Sequence, residues 1–544
     1  MQSIVSSAKP KMNAIIKENL HRFWPIAFVY FLILFMVTVF IAILDTSEAN
    51  GFDIIWNTIN NGRLVIPVIT SAASLTFAVC IFGFLHNTGQ ASVTHALPFS
   101  RKALFSAHFI SGFILSIAPF ILLAFSMLPF CFGANAHNPD AYLRVLTPSQ
   151  ILATLGMWLL SNGIIILCTY ALCVFAGIIT GTVIMHILVA GLLNLFIPFF
   201  YKLITIYLSS FLLGYPTNTS SINTILSYMH PALYNIFHHR LGILAAIVYI
   251  GISAIIILFA LILYRVLKLE RAGDSTTFHV AEKILTYIVT LLGMAAFGLA
   301  FTIPTPFTGN GAMPPFYIIS AIGAIITFII VQMIMKKTPK IFNQATCKTF
   351  GIYVIVGILF LVCTTSDITG YSNRVPSPNH VKSVIINSDI YPFMIPYNQE
   401  MYGEQLKFTK KDDIANVTNL HRHLITANKE AIQDMQNAAD NLNTIEDPYD
   451  IPKEGIDENL TLYNTIISSQ LNFHYKTGSP FGMQRNYQYE SADPILKLLA
   501  DTDEFKKTYR LANTVGYDKI DSVTALHANT IFYSVNPNDD PGIE

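Results

Sequence analysis

Charged residues are scarce in this chain. Asp, Glu, Lys and Arg make up 12% of its 544 residues, against about a quarter in a typical soluble domain, and hydrophobic residues make up 53%. The charge is also uneven, because residues 1–366 carry 18 basic and 8 acidic residues while residues 367–544 carry 15 and 25. This distribution excludes a single water-soluble domain and predicts a membrane-embedded part followed by a soluble part.

Cysteine is missing from the last 178 residues, and the sixth and final cysteine is Cys363. The C-terminal part therefore cannot be cross-linked by disulfides. For a domain outside the cytoplasm, this absence fits a bacterial envelope better than a eukaryotic secretory route. A cleavable signal peptide is also lacking, because the first apolar run is too long and has no small-residue cleavage site. We expect this run to be retained as the first membrane span.

Several catalytic and metal-binding motifs are absent as well. The sequence contains no G-x-x-x-x-G-K-[ST] phosphate loop, no C-x-x-C and no H-E-x-x-H, so it predicts no nucleotide hydrolysis by that route, no catalytic residue and no metal on this chain. His421 and His423 are two residues apart on a predicted helix and should point to opposite sides. That spacing, like the His238-His239 pair, favours structural or solvent-exposed histidines over a metal site.

Long apolar runs dominate the first two-thirds of the chain. Nine of them lack Asp, Glu, Lys and Arg, and a span needs about 20 apolar residues, although the ninth run is short. The predicted spans are approximately Trp24–Leu44, Val65–Leu85, Phe109–Phe132, Ile151–Ile179, Val183–Phe200, Ile243–Tyr264, Ile284–Phe301, Phe316–Met335 and Phe350–Thr364.

The basic residues between the spans predict the orientation. With the N-terminus inside, the inner segments hold 14 Lys and Arg and the outer loops hold 4. Nine spans then carry the C-terminal domain to the outside of a bacterial cell membrane. Residues 1–23 form a basic, amphipathic cytoplasmic segment, which either lies along the inner surface or only fixes the topology.

Residues 201–242 are apolar but are broken by Gly214, Pro216 and Pro231. This pattern favours short helices that enter the outer leaflet over a further span.

From about Asp367 the pattern is that of a soluble α+β domain. Periods of two and of 3.6 residues alternate there, and turn residues separate them. The predicted elements are a strand at His380–Asp389, a helix at Asp412–Glu430, a hairpin of Asn459–Tyr475 with Met483–Glu490, a helix at Pro494–Phe505, and strands at Lys519–Leu526 and Thr530–Val535.

Polar residues in or beside the spans are candidates for function. Asp45, Glu48 and Asp53 share the first outer loop, where membrane glycosyltransferases place carboxylates, but their spacing favours a plain surface loop. Within the spans, helix–helix hydrogen bonding is favoured over substrate contact for each candidate. These candidates are Ser71, Ser74, Thr76, His186 and Asn194.

One inner loop carries a recognisable pattern. The run Leu97-Pro98-x-Ser100-Arg101-x-x-Leu104-Phe105 resembles the loop after the second span of ABC-2 type transporter permeases. Residues 175–181 resemble the tight inner turn of that family between spans four and five, and residues 264–274 resemble its inner exit from span six. The resemblance covers about residues 12–275.

The remainder resembles a Gram-positive subset of these permeases that adds three spans and an outer domain. The matching residues are Asn419-Leu420-His421-Arg422, Phe473–Tyr475 and Met483-x-Arg485-x-Tyr487. The resemblance therefore implies a polytopic α-helical protein with a six-span core at 24–275, three more spans at 276–366 and an extracellular α+β domain at 367–544.

In this family the loop after span two docks on a cytoplasmic ATPase subunit, which binds ATP and Mg, so no cofactor is expected on this chain. The implied coupling residues are His95, Leu97, Pro98, Arg101 and Leu104, with Ser100 as the N-cap of span three. The implied partners are the ATP-binding subunit, a second permease copy or paralogue, and membrane lipid, with no nucleic acid. The span-two polar positions and Asn194 would face the translocation path.

Two other functions stay open. A lipid-linked glycosyltransferase would need Asp45 or Asp53, and a sensor would use the outer domain as its ligand site and would need no ATPase.

Overall fold

The structure is a computed structural model that describes residues 8–44, 59, 65–133, 147–216, 220–238, 241–302, 314–388, 406–443, 470–477 and 483–488. Several predictions lie outside these residues. They are the acidic cluster Asp45, Glu48 and Asp53, the helix at 494–505, the strands at 519–526 and 530–535, and the start of the hairpin at 459–469.

Within the described residues, nine helices are long and apolar enough to cross a membrane, the number that was predicted. They are α1 (Ala8–Phe35, continued by a π-helical turn Met36–Phe40 and by Ile41–Leu44), α2 (Val65–Phe82, continued by a 3-10 turn Gly83–His86), α4 (Arg101–Gly133), α5 (Pro148–Ile179), α6 (Val183–Phe211), α9 (Ile243–Val266), α10 (His279–Thr302), α11 (Pro314–Lys336) and α12 (Gln344–Thr365). The shorter helices are α3 (Thr88–Ala96), α7 (Ser220–Ser227) and α8 (Pro231–His238).

Helix α5 is the most deeply buried of the nine, and α2, α4 and α9 pack on it. Its start is fixed by a capping box, in which the Thr147 hydroxyl accepts from Gln150 N and the Gln150 side chain accepts from Thr147 N, with Pro148 in the first turn.

Several helices are longer than their apolar runs, and α6 and α12 show why. Helix α12 begins at Gln344 rather than near Phe350, because Asn343 Oδ1 accepts a hydrogen bond from Thr346 N at 2.9 Å and so caps a polar first turn. Helix α6 continues past Pro198 to Phe211, so Lys202 lies in the helix. The prediction of short helices over residues 201–242 is therefore wrong for 201–211, which belong to α6, whereas residues 220–238 do form two short helices.

The C-terminal residues form a four-stranded antiparallel sheet covered by one helix. Its strands are β1 (Ser383–Ser388), β2 (Leu406–Phe408), β3 (Gln470–Lys476) and β4 (Met483–Gln488), in the order β2-β1-β3-β4. Helix α13 (Lys411–Asn443) extends beyond the predicted Glu430, and its apolar side packs on the sheet. The strand at β1 and the β3–β4 hairpin are confirmed.

The chain divides into two compact units. The first comprises residues 1–203, 220–296 and 320–355, and the second comprises 204–219, 297–319 and 356–544. Four helices, α6, α10, α11 and α12, each contribute residues to both units.

Candidate functional site

The loop between α2 and α4 contains a short helix, α3. Asn87 caps it, because its Oδ1 accepts from Gly89 N at 3.0 Å and from Gln90 N at 3.2 Å. The helix ends at Ala96 because Leu97 precedes Pro98 and adopts an extended backbone. Asn87 was not singled out in the sequence, although Asn directly before a short helix is a recognised start signal.

Helix α3 has one side in the protein and one side exposed. Ala91 is fully buried, whereas Val93 is 70% exposed and Leu97 is 41% exposed. Pro98 is also exposed. Val93 and Leu97 are four residues apart and therefore form a small apolar edge, which we call the α3 edge.

His95 lies on the inner side of α3. Its Nδ1 donates to Ala91 O at 2.8 Å, and its ring stacks on Tyr264 of α9 with centroids 5.6 Å apart. Burial, together with the nearby Arg101 guanidinium, lowers the pKa of His95. A neutral His95 therefore holds α3 against α9, and its ring is not directed at a partner.

Arg101 joins the start of α4 to the end of α9. Its Nη1 donates to Arg265 O at 2.8 Å and to Leu267 O at 2.9 Å, which are carbonyls that a helix C-terminus leaves without an intrahelical partner. Ser100 caps α4 as predicted, since Ser100 Oγ accepts from Ala103 N at 3.2 Å. A displacement of this loop would thus act directly on α9.

Leu104 is only 1% exposed and is part of the packed interior. A side chain must be accessible to contact a partner, so this position does not fit the docking role that the resemblance implied. The helical period explains the burial, because Leu104 and Ala107 lie on the side of α4 that faces the bundle.

The segment that follows α9 pairs with the turn between α5 and α6. Thr180 and Thr276 form an antiparallel bridge, and Gly273 N donates to Gly181 O at 2.7 Å. The Thr277 hydroxyl donates to Ile178 O at 2.7 Å. We call residues 178–182 and 265–277 together the junction.

Gly181 is required in the junction by close packing. A Cβ atom there would lie 2.4 Å from Asp274 O and 2.8 Å from Arg271 O, and backbone oxygens cannot move aside easily. The 3-10 turn Leu269–Arg271 of the junction also contacts α3. The α2–α4 loop, α9 and the α5–α6 turn are therefore one connected assembly.

The polar candidates in α2 do not share a face. The Ser74 hydroxyl is buried and donates to Thr70 O at 2.8 Å, whereas Thr76 is exposed and donates to Ala72 O at 2.9 Å. Ser71 is half-buried. Both measured bonds stay within the helix, as Ser and Thr hydroxyls often do.

His186 and Asn194 of α6 both face α5. His186 Nε2 lies 2.8 Å from Cys173 O, and Asn194 Nδ2 donates to Ala190 O at 2.8 Å and lies 3.6 Å from Cys173 Sγ. The Asn194 bond to Ala190 O stays within α6, and the contacts with Cys173 join α6 to α5, as is usual for polar side chains in packed helices.

Sequence reasoning missed the partner of His186. Because the Cys173 carbonyl can only accept, His186 Nε2 carries a proton, and in a neutral pair His186 Nδ1 accepts from His86 Nε2 at 3.1 Å. A second missed cluster joins Asn19 Nδ2 to His108 Nδ1 at 2.9 Å and to Ser111 Oγ at 3.0 Å. The sequence signal that could have indicated both clusters is the presence of histidines near the ends of the predicted spans.

Six of the ten residues that carried the C-terminal resemblance are buried in the sheet domain, whereas Asn419 and Arg422 are exposed. His421 is fully buried, with Nδ1 3.0 Å from the Tyr475 hydroxyl and Nε2 2.8 Å from the Tyr487 hydroxyl, and its ring stacks on Phe473. Burial, followed by the charges of Arg485 and Arg422, lowers the pKa of His421 to about 3. His423 is exposed on the other side, as predicted.

Arg485 is also buried, at 1% exposure. Its guanidinium carbon lies 3.4 Å from the centroid of the Tyr371 ring, and its Nη2 donates to Tyr371 O at 2.9 Å. Asp367 holds the same turn, accepting from Ser372 N at 2.8 Å. Burial raises the pKa of Asp367, but hydrogen bonds from the Ser372 and Tyr371 backbone outweigh it and lower the pKa below its usual value.

The loop after α6 joins the same domain. Gly214 has a φ of 76°, and its carbonyl accepts from Asn486 N on strand β4 at 3.2 Å. Leu213 belongs to the apolar core of the domain, and the Tyr215 ring lies 5.5 Å from that of Tyr371. Only glycine suits position 214, because φ is positive and a Cβ atom would lie 2.6 Å from the Tyr487 hydroxyl.

The three comparisons, with protein-family models, with curated proteins and with solved structures, gave no match for this chain. No group of three or more His, Cys, Asp or Glu side chains suited to a metal ion occurs among the described residues.

Proposed function

We propose that this chain is the membrane-spanning permease subunit of an ATP-binding-cassette transporter, and that it works as an exporter. A separate cytoplasmic subunit hydrolyses ATP, and the permease pairs with a second copy or a paralogue. The chain itself does no covalent chemistry.

The observation that carries the proposal is the α3 edge on a helix clamped to the bundle. Val93 and Leu97 are exposed, whereas the other side of α3 is held by the stacking of His95 on Tyr264. A short helix with an apolar outer edge suits a groove on a partner protein. In this proposal the α3 edge contacts the ATPase. The buried side of α3 then transmits the movement of the ATPase to the helix bundle.

The route of that movement follows from Arg101 and the junction. A displacement of α3 pulls on the end of α9 through the two hydrogen bonds of Arg101. The bridge between Thr180 and Thr276 links the same segment to the turn between α5 and α6. Packed helices move as rigid bodies, so closure of the ATPases would shift spans four to six together.

The test is co-purification of the tagged full chain with its ATP-binding subunit, detected by photo-crosslinking with azido-ATP. Val93→Glu with Leu97→Glu should abolish recovery of that subunit, because the two charges would be buried in the contact. Thr88→Glu is the matched control, since it adds a charge to another side of α3 in the first helical turn, where an acid is favourable. Recovery of the ATP-binding subunit with both the Val93 and Leu97 variant and the Thr88 control would refute the proposal. Failure to recover that subunit with the wild type and the control would also refute it.

A sensor is the second candidate, and one observation favours it. Gly214, which follows α6, hydrogen-bonds to strand β4, so a ligand on the sheet domain could act on that helix. A sensor needs no ATPase, and the same co-purification therefore separates the two functions.

A further inference from the structure

Three cationic side chains line an open pocket of about 160 Å³ in the first unit. Arg271 belongs to the junction, and Lys336 and Lys337 stand at the end of α11. The start of α10 provides another wall with His279 and Glu282.

Positive charge in this pocket is not neutralised by an ion pair. Among the residues that line the pocket, the one contact within 4.0 Å between a basic and an acidic side chain joins the His279 ring to the Glu282 carboxylate, at 3.6 Å. Asp274 also lines the pocket, but its carboxylate is not within that distance of the three cations. Three cations and the two carboxylates of Asp274 and Glu282 leave the pocket with a formal surplus of one positive charge, which suits an anion.

The three cations are held in place and still have donors to offer. Lys336 Nζ donates to Thr346 Oγ1, Lys337 Nζ donates to Gly273 O, and Arg271 Nη1 donates to Thr277 O at 3.1 Å. An ammonium group has three N–H donors and a guanidinium has five, so these bonds use only part of them. Convergent, pre-positioned donors of this kind suit the several oxygens of a phosphate group.

Lys337 has a φ of 53°, the left-handed region that follows many helices and usually belongs to glycine. The backbone alone therefore disfavours a lysine at this place. Its ammonium group reaches the junction, where it donates to Gly273 O.

The pocket lies at the ends of two helices that are long and apolar enough to cross a membrane. The apolar stretch of α11 ends at Lys336, and that of α10 begins at His279. Polar headgroups occupy the layer immediately outside the hydrocarbon core, so the ends of spanning helices are the places where headgroups are met. Beside the pocket, Val280 is 68% exposed and Ile334 is 46% exposed, which gives an apolar surface for acyl chains.

We propose that Arg271, Lys336 and Lys337 bind the phosphodiester headgroup of an anionic phospholipid. A lipid is preferred to dissolved phosphate because exposed apolar side chains continue from the pocket along both helices. This site does not depend on the transporter proposal, and it would exist in a sensor as well.

The experiment measures lipid retention by the purified full chain. After reconstitution in mixed phosphatidylglycerol and phosphatidylcholine, native mass spectrometry compares the two lipids that remain bound. Lys336→Gln with Lys337→Gln should lower the phosphatidylglycerol preference roughly tenfold, since each basic residue near an anionic surface contributes to lipid attraction. The matched control is Lys340→Gln with Lys348→Gln, which removes the same charge from two exposed lysines that do not line the pocket.

Equal loss in both double variants, or no loss in either, would overturn the site. Inorganic phosphate provides the second arm. If lipid-free wild type binds inorganic phosphate and the pocket variant does not, while phosphatidylglycerol retention is the same in both, the site serves dissolved phosphate and the lipid assignment is wrong. Melting temperatures of the wild type and of the two double variants check that each variant is folded.

Discussion

The polar candidates of the long helices and the buried polar side chains of the sheet domain are hydrogen-bonded in two different ways. Ser74 and Thr76 of α2 bond to the backbone of their own helix, although other side chains of the first unit, such as Arg101 and His186, reach distant residues. In the sheet domain, His421 and Arg485 bond to segments more than fifty residues away. A local bond forms whenever its helix forms, whereas a distant bond forms only in the finished fold. The second kind is therefore expected to determine stability, and the predictions below test this difference.

Arg485→Gln should have the largest effect. It removes the contact with the Tyr371 ring and leaves buried carbonyls without a donor, which we expect to cost about 3 kcal/mol. Hydrogen exchange of the β3 and β4 amides in the full chain measures the loss. Arg422→Gln is the matched control, because Arg422 is exposed and bonds only to Asn419 among the described side chains. Similar losses in both variants would contradict the buried role.

Gly181→Ala extends the test to the first unit, since the junction also depends on distant backbone bonds. Two backbone oxygens block the new methyl group, so we expect a loss of about 2 kcal/mol in thermal unfolding of the purified chain. Gly191→Ala is the control, because nothing lies within 4 Å of a Cβ atom there. If the two variants melt alike, the junction is more pliable than its contacts indicate.

Acidification should weaken the sheet domain through His421. The folded pKa of about 3 is below the ordinary 6.5, so the stability contribution is complete above pH 6.5 and is lost as the pH falls toward 3. From pH 7 to pH 5 the loss should be about 2 kcal/mol for this residue. Exchange rates of the β3 amides over that range measure it.

His421→Gln should flatten that pH dependence, because an amide can donate and accept without titrating. The exposed His423→Gln should leave it unchanged. A steep dependence that survives in the His421 variant would assign the proton uptake to another group.

Thr76→Ala should have the smallest effect on stability, within about 0.5 kcal/mol, since it removes one local bond on an exposed face. Thermal unfolding in detergent measures it beside Ser74→Ala, whose hydroxyl is buried but equally local. A loss above about 1.5 kcal/mol in either variant would break the contrast between local and distant bonds.

Hydropathy was enough to predict the nine long helices, because each depends on one uninterrupted apolar run. The bounds of α6 and α12 were missed, since Pro198 is accommodated within α6 and Asn343 caps a polar first turn. The Asp412–Glu430 helix and the hairpin were predictable from local period and turn residues. Helical spacing alone was also enough to predict that His421 and His423 lie on opposite sides of the helix.

The contacts that define the candidate site were not predictable in the same way. The bridge between Thr180 and Thr276 joins turns almost a hundred residues apart, and no local pattern encodes it. The period of α4 could have indicated that Leu104 faces the bundle, but the family resemblance pointed to docking. His421 finds Tyr475 and Tyr487 at separations of 54 and 66 residues.

The hydrogen bond from Asn486 to Gly214 has a consequence for self-association. Among the described strands, β4 is the last on its side of the sheet, and an uncovered last strand offers its backbone to any other extended chain. Here Gly214, three residues after the end of α6, accepts a hydrogen bond at that edge, and on the opposite side β2 is only three residues long. A C-terminal fragment cut free after Thr365 would lose this contact at β4, so we expect it to be more open to strand addition there than the full chain.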